Sequence, residues 1–405
     1  MAVATALHNP TPTDTAPQRC RDQVDWPEAA YLHIPFCRQR CHYCDFATGL
    51  GTRELIETYV QMLCREIGSS YRYRHLAGDP RPLTSIFFGG GTPSLLTVEQ
   101  LGRILNKLKA RIPFHPDCEI SLEANPGTLT RDQLAGYQAL GVNRISLGVQ
   151  AFQAELLAAC GRLHGVEEVY EAVSDLKAVG LDNFNLDLIF GLPYQTLEHW
   201  HNSLQALLEI NPPHVSIYDL TIEPGTRFGR MYRPGDAPLP TEETTVEMYV
   251  MARKLLTQAG YIHYEISNFA QAGYACRHNR VYWENRPYFG FGMGSVGYEG
   301  GRRIQQPKTL YHYFEQVKAG VHPLPPKASP EEVWMDTLML GLRLQEGLDL
   351  GHLQERFGHA KVEQALERLD PYFEKGWASC EAGRLRLIPP NGWLFSNEIL
   401  KDLLA

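Results

Sequence analysis

The sequence predicts an α/β fold, a partial (β/α)6 barrel followed by a helical, winged-helix-like C-terminal domain. Six short runs of β-forming residues recur along the first half of the 405-residue chain, each followed by a stretch of helical period. The runs are near-continuous in apolar character, as parallel strands covered by helices are. Each run ends in glycine or in polar residues unsuited to a core, and beyond the C-terminal strand ends is where parallel sheets carry their ligand sites. Pattern alone leaves a doubly wound open sheet as the alternative to a curved partial barrel.

The elements run in order along the chain. Residues 1–28 are rich in Thr, Pro and Ala, contain Asp14 and Asp22, and lack an apolar signal core, so they read as a disordered lead-in. Ala30 to Ile34 is the first strand, and helix follows around Glu54 to Ile67. Ser85 to Phe88 breaks into Gly89, Gly90, Gly91 and Thr92, ahead of a helix over Val98 to Leu108. Glu119 to Leu122 ends at Glu123, Arg144 to Leu147 runs on to Gln150, Phe184 to Phe190 contains Asp187, and Val215 to Leu220 completes the barrel, assigned to residues 29–222. Residues 223–322 form an extension with a helix over Thr241 to Ala259 and an aromatic-rich segment from Glu265 to Tyr298 with few helix signals. Residues 323–405 hold a Pro-rich linker, helices over Glu331 to Leu344, Leu350 to Phe357 and Val362 to Lys375, a wing pairing Leu385–Ile388 with Trp393–Phe395, and a short last helix.

Composition excludes several roles. A net charge of −8 with no basic stripe argues against nucleic acid as a partner, since a polyanion is met by clustered Lys and Arg. No apolar run approaches the ~18 residues of a transmembrane segment. Nine cysteines without disulfide-like spacing fit a reducing cytoplasm.

Cys37, Cys41 and Cys44 lie within eight residues, just after the first strand. Soft thiolates suit zinc or an iron–sulfur cluster. Zinc would want a fourth protein ligand, which His33 or His42 could supply, whereas a [4Fe-4S] cube on three cysteines leaves one iron open. Zinc sites favour two separated ligand pairs, and no second pair is present here. Other candidates have plain readings too. Gly89 to Gly91 suit a tight turn, Glu123 and Asp187 suit ion pairs at strand ends, and Gln150 suits the satisfaction of backbone groups. Their shared place at one rim, beside the cysteine loop, favours a site. Farther on, Cys276, His278, Asn279, Tyr282 and Trp283 concentrate a thiol, an imidazole, a carboxamide and two large rings. Iron in a porphyrin takes His or Cys as axial ligand and porphyrin faces bury against aromatics, although a hydrogen-bonded loop histidine is the plainer reading of His278.

Together these motifs resemble the radical S-adenosylmethionine (SAM) family of oxygen-independent coproporphyrinogen III dehydrogenases and the related heme chaperones, from Tyr31 to the C-terminus. The resemblance implies that Cys37, Cys41 and Cys44 hold a [4Fe-4S] cluster whose fourth iron is chelated by SAM. Tyr31, Gly91, Thr92 and Glu123 match positions around that SAM, and Tyr43, Gln150, Arg162 and Asp187 match those around a second one in the dehydrogenase branch. Phe46 stands where the dehydrogenases carry a further cysteine, and His278-Asn-Arg-Val-Tyr-Trp283 matches the H-N-x-x-Y-W motif associated with heme in the chaperones. Both features favour the chaperone branch, with His278 as candidate heme ligand and Tyr282 and Trp283 packing the ring. The resemblance thus implies a cytoplasmic protein that binds heme and passes it to acceptor apo-proteins, membrane-associated acceptors being compatible with this, and that draws on an electron donor. The alternative is the decarboxylating dehydrogenase itself.

Overall fold

A computed structural model describes residues 26–404, so the expected lead-in falls, up to residue 25, outside the described residues. Six parallel strands form the frame: β1 (Ala29–Ile34), β2 (Leu83–Gly90), β3 (Phe114–Ala124), β4 (Arg144–Gln150), β5 (Phe184–Phe190) and β6 (His214–Asp219). Each pairs with the next in chain order. A doubly wound sheet reverses its strand order to place helices on both faces, whereas unbroken order with crossovers of one hand sends every helix to the same face. The order therefore decides for the partial barrel. Its outer helices are α1 (Arg53–Gly68), α2 (Val98–Lys109), α3 (Arg131–Ala139), α4 (Val166–Ala178) and α5 (Leu197–Ile210). They start where caps allow; at α2, Thr97 Oγ1 accepts from the Gln100 N–H at 3.2 Å and Gln100 Oε1 accepts from the Thr97 N–H at 3.0 Å. Such a box contributes about 1 kcal/mol.

The expectation of near-continuous apolar strands needs correcting, because the register separates two faces. Leu32, Ile86, Leu122, Leu147 and Leu186 point outward under the helices, each fully buried, and each contributes roughly 1.5–3 kcal/mol by leaving water. On the concave face Tyr31 lies beside Phe87, Phe87 beside Ser121, Ser121 beside Arg144, Ser146 beside Asn185, and Asp187 beside Ser216. One wall of the barrel is thus a core and the other is a polar, hydrogen-bonded lining.

The extension closes the edges. A hairpin of β7 (Ile262–Glu265) and β8 (Asn268–Ala270) adds antiparallel to β6, and β9 (Phe289–Phe291) adds parallel to β1. Helix α6 (Glu242–Gln258) lies where expected. The segment credited with few helix signals contains α7 (Arg277–Trp283), which packs against β2. The Glu119 carboxylate from the concave face of β3 caps it, accepting from the Arg277 N–H at 3.2 Å and the His278 N–H at 3.3 Å.

A second core gathers Trp334, Leu338, Leu353, Leu369, Leu385 and Ile399 from α8 (Pro330–Gly341), α9 (Leu350–Phe357), α10 (His359–Glu374), α11 (Ser396–Leu404) and a small sheet. The wing is a correction. Strand β11 (Arg384–Leu387) pairs backward with β10 (Ala378–Glu381), and Asn391–Leu394 is helical. The tight turn lies at Ala382-Gly383, both residues at positive φ, and not at the Pro-Pro-Asn-Gly run that suggested it. Among the described residues no helix is long and apolar enough to cross a membrane.

Candidate functional site: the barrel mouth and its floor

The concave face opens into a cavity of about 520 Å³ whose mouth is the cysteine loop. The loop is tied at its base, where Phe36–Cys37 pairs with Gly49–Leu50. Cys37, Cys41 and Cys44 are free, half-buried and line the cavity. Burial raises the Cys37 and Cys44 thiols above their usual range, and the neighbouring cysteines add to it, so a cationic group is what would hold them as thiolates. Neither histidine considered as a fourth ligand is available. His33 Nδ1 meets Tyr31 Oη and Nε2 meets Ala47 O, both at 3.0 Å. His42 is held between Ala159 O at 2.8 Å and the Arg227 guanidinium at 2.8 Å. The donor set is three sulfurs from one short loop with an open side toward the cavity, which fits a [4Fe-4S] cube and does not fit tetrahedral zinc.

The glycine triplet is fixed by contact. A Cβ on Gly91 would lie 2.6 Å from Phe36 O and 2.7 Å from Ile34 O, and Gly90 sits at φ +106 with its missing Cβ against the His33 ring. Backbone thus runs flush beneath the cysteine loop, and the Gly91 and Thr92 N–H groups bind Ile34 O and Phe36 O at 2.8 and 2.7 Å. Beside it Glu123 accepts from the Gly90 N–H at 3.0 Å. Burial first and then the Asp187 charge push the Glu123 carboxyl up to about 8, against the Gly90 N–H and Arg144. Burial also raises Asp187, although Ser216, Asn185 and Ser146 hydrogen-bond to it.

On the other side of the mouth Gln150 stands at φ +72, an uncommon conformation for a residue with a side chain, and its buried Oε1 has no partner. Arg162 Nη1 reaches Cys41 Sγ at 3.3 Å, while its Nη2 is held by Asn125 and the Gly148 carbonyl. Tyr43 packs on Phe228 and lines the cavity, and Phe46 lies at the lip, 62% exposed. A strained backbone and an orphaned carboxamide oxygen at one rim mark a place prepared for a ligand.

The heme-motif residues sit deeper, on α7. His278 is fully buried, stacked on Phe87, with Nδ1 bonded to Ser85 Oγ and Nε2 to Tyr282 Oη, each at 3.0 Å. Burial, with the Arg286 and Arg144 charges, holds it neutral, down at about 3. His278 and Tyr282 share one helix face because they are four residues apart. Trp283, expected with Tyr282 to pack the heme ring, does not share that helix face: adjacent helical residues diverge, and its ring lies outside the cavity under the Arg343 guanidinium, 5.6 Å from its centroid. Sequence reasoning missed the floor itself, made of Arg144, Ser146, Asn185, Ser216 and Tyr218. The signal was there in the i, i+2 polar alternation of β4, β5 and β6. Asn185 is its hub, donating to Ser146 and Asp187 at 2.7 Å and to Ser216 at 3.0 Å.

Comparison with known proteins agrees with this geometry. Residues 31–207 match the model of the Radical SAM superfamily, and residues 328–395 match that of the HemN C-terminal domain. The class is thereby that of the radical SAM proteins, whose domain implies a [4Fe-4S] cluster and SAM. The heme chaperone HemW of Synechocystis is 40% identical over 94% of this chain and 97% of that protein, and HemW of Bacillus subtilis is 36% identical over 93% and 99%. HemW of Escherichia coli is 42% identical over 70% of this chain and 74% of its own. The chain belongs to the HemW family of heme chaperones. In fold it is similar to the coproporphyrinogen III oxidase HemN of Escherichia coli, a radical SAM enzyme, with a TM-score of 0.80, 24% identity, and coverage of 93% of this chain and 90% of that one.

Proposed function

We propose that this protein is a heme chaperone: it binds heme and transfers it to acceptor apo-proteins, membrane-associated ones among them, while carrying a SAM-chelated [4Fe-4S] cluster at the barrel mouth. The observation that carries the reading is the 40% identity to a heme chaperone along 94% of this chain and 97% of that relative. Cys37, Cys41 and Cys44 would hold three irons. Tyr31, Gly91, Thr92 and Glu123 would surround the SAM on the fourth, and Tyr43, Gln150, Arg162 and Asp187 are suited to a second. When bound, a cluster with SAM supplies one-electron reduction of the sulfonium, which requires an electron donor. The free thiols support a cytoplasmic location.

His278 would serve as heme ligand only by giving up one of its two hydroxyl partners, Ser85 or Tyr282, so ligation and opening of a hydrogen bond go together. Titration of the cluster-loaded protein with heme tests the reading. Uptake approaching one equivalent with a shifted Soret band is expected, and a His278→Ala protein with the same spectrum and affinity would remove His278 from the account. An absence of saturable uptake by the parent protein would overturn the chaperone reading.

A further inference from the structure

Arg144 opens β4 at the floor of the cavity, on the concave face, and is 2% exposed. Among the described residues its guanidinium makes no hydrogen bond or ion pair, and its Nε is buried without a partner. A buried guanidinium is strongly disfavoured unless its planar fork meets an acceptor. The surrounding carboxylates are spent elsewhere. Glu119 caps α7 through the Arg277 and His278 N–H groups, Asp187 is bonded to Asn185 and Ser146, and Glu123 to the Gly90 N–H. His214 turns one nitrogen to Asn185 and the other to Tyr264, so it too is engaged. Burial raises both Glu123 and Asp187 above the usual carboxylate range, against the pull of the Arg144 charge, so neither is a ready ion-pair partner for it. The acceptor that Arg144 lacks has one approach, through the cavity that Phe87 and Tyr282 flank with aromatic surface.

We infer that Arg144 anchors a carboxylate of the molecule held in this cavity, and that the carboxylate is a heme propionate; the inference rests on the chaperone reading above. Two ligands of this site carry carboxylates, heme and SAM. Gln150, at the far end of the same strand, lies six residues from Arg144, a rise of about 20 Å. Arg162, which touches Cys41, belongs to that far end. A SAM whose carboxylate is bound beside the cysteines cannot also present it to Arg144. A macrocycle edge lying on the polar floor can.

The test compares heme with heme dimethyl ester, in which the propionates are esterified and uncharged, on the cluster-loaded full chain. The parent protein is expected to bind heme about ten- to a hundredfold more tightly than the ester, the range of a charge-assisted hydrogen bond. Arg144→Met should lose that preference by weakening heme alone, and Arg144→Lys should restore part of it. Equal affinities for heme and ester in the parent protein, a comparison that needs no variant, would overturn the anchor and leave the chaperone reading intact. A parent protein that binds neither overturns both. A drop in SAM affinity in Arg144→Met, with heme affinity kept, would assign the guanidinium to a SAM carboxylate and overturn the propionate.

Discussion

At the mouth of the barrel three free thiols stand beside a Gln150 carboxamide oxygen and an Arg162 Nε that are left without partners, whereas on the floor nearly every polar group is spent on a neighbour. His278, Asn185, His214 and Glu119 each make two or more hydrogen bonds. Arg144 is the exception. The two regions share one cavity and one set of strands, so the contrast is in preparation for ligands. The mouth needs only to lose protons to accept a cluster. The floor must exchange existing bonds for new ones, as a carrier that both takes up and releases its cargo would.

Removing a sulfur should have the largest effect. Cys41→Ser is expected to lower bound iron after reconstitution by about tenfold or more while the chain stays folded, because its half-buried thiol touches the cavity-lining Arg162 and Tyr43 and is not part of the core. Iron analysis with far-UV circular dichroism checks this, and full iron retention would break the contrast. Next comes the packing beneath the loop. Gly91→Val sets a side chain into the backbone oxygens of Phe36 and Ile34 and should cost about 2–3 kcal/mol, read from the urea midpoint. Gly89→Ala should cost less, since its nearest neighbours are side-chain atoms of Phe87 and Tyr31 at 3.0 Å.

A third effect is one of pH. Glu123 is held up at about 8, above its ordinary 4.5, so between those values the folded cluster-free protein binds more protons than the unfolded chain. Its contribution to stability is therefore fully present below pH 4.5 and is lost as pH rises through 8. Glu123→Gln should flatten that part of the stability curve, measured by denaturant titration, and an unchanged slope would reject the assignment. Trp283→Phe should be the smallest, shifting heme affinity by less than about 0.5 kcal/mol because the ring lies outside the cavity. A loss comparable to that of His278→Ala would place Trp283 back at the porphyrin.

The strands and the rim were legible in the sequence for the same reason. A parallel strand under helices must be apolar on its outer face, and the residues that break such a run at its C-terminal end are those a ligand meets, as at Glu123, Gln150 and the cysteine loop. What escaped was set by tertiary contacts. Helix α7 is two turns long and its first N–H groups are met by the Glu119 carboxylate, more than 150 residues earlier in the chain, so no local period reveals it. Strand β9 is three residues, Phe289–Phe291, too short for a period of its own, and its Gly290 is required by the close pass of the Val296 backbone, whose carbonyl would lie 2.4 Å from a Cβ there. Arg144 reads as the polar start of an apolar run until the register sets it beside Ser121. The direction of Trp283 likewise depends on the segment being a helix.

The central claim is tested most directly by giving one anaerobic preparation, with cluster reconstituted and SAM and a reductant present, heme and coproporphyrinogen III in parallel. The account predicts near-stoichiometric heme uptake with a shifted Soret band and no protoporphyrinogen IX. Catalytic conversion of coproporphyrinogen III without saturable heme binding would contradict it.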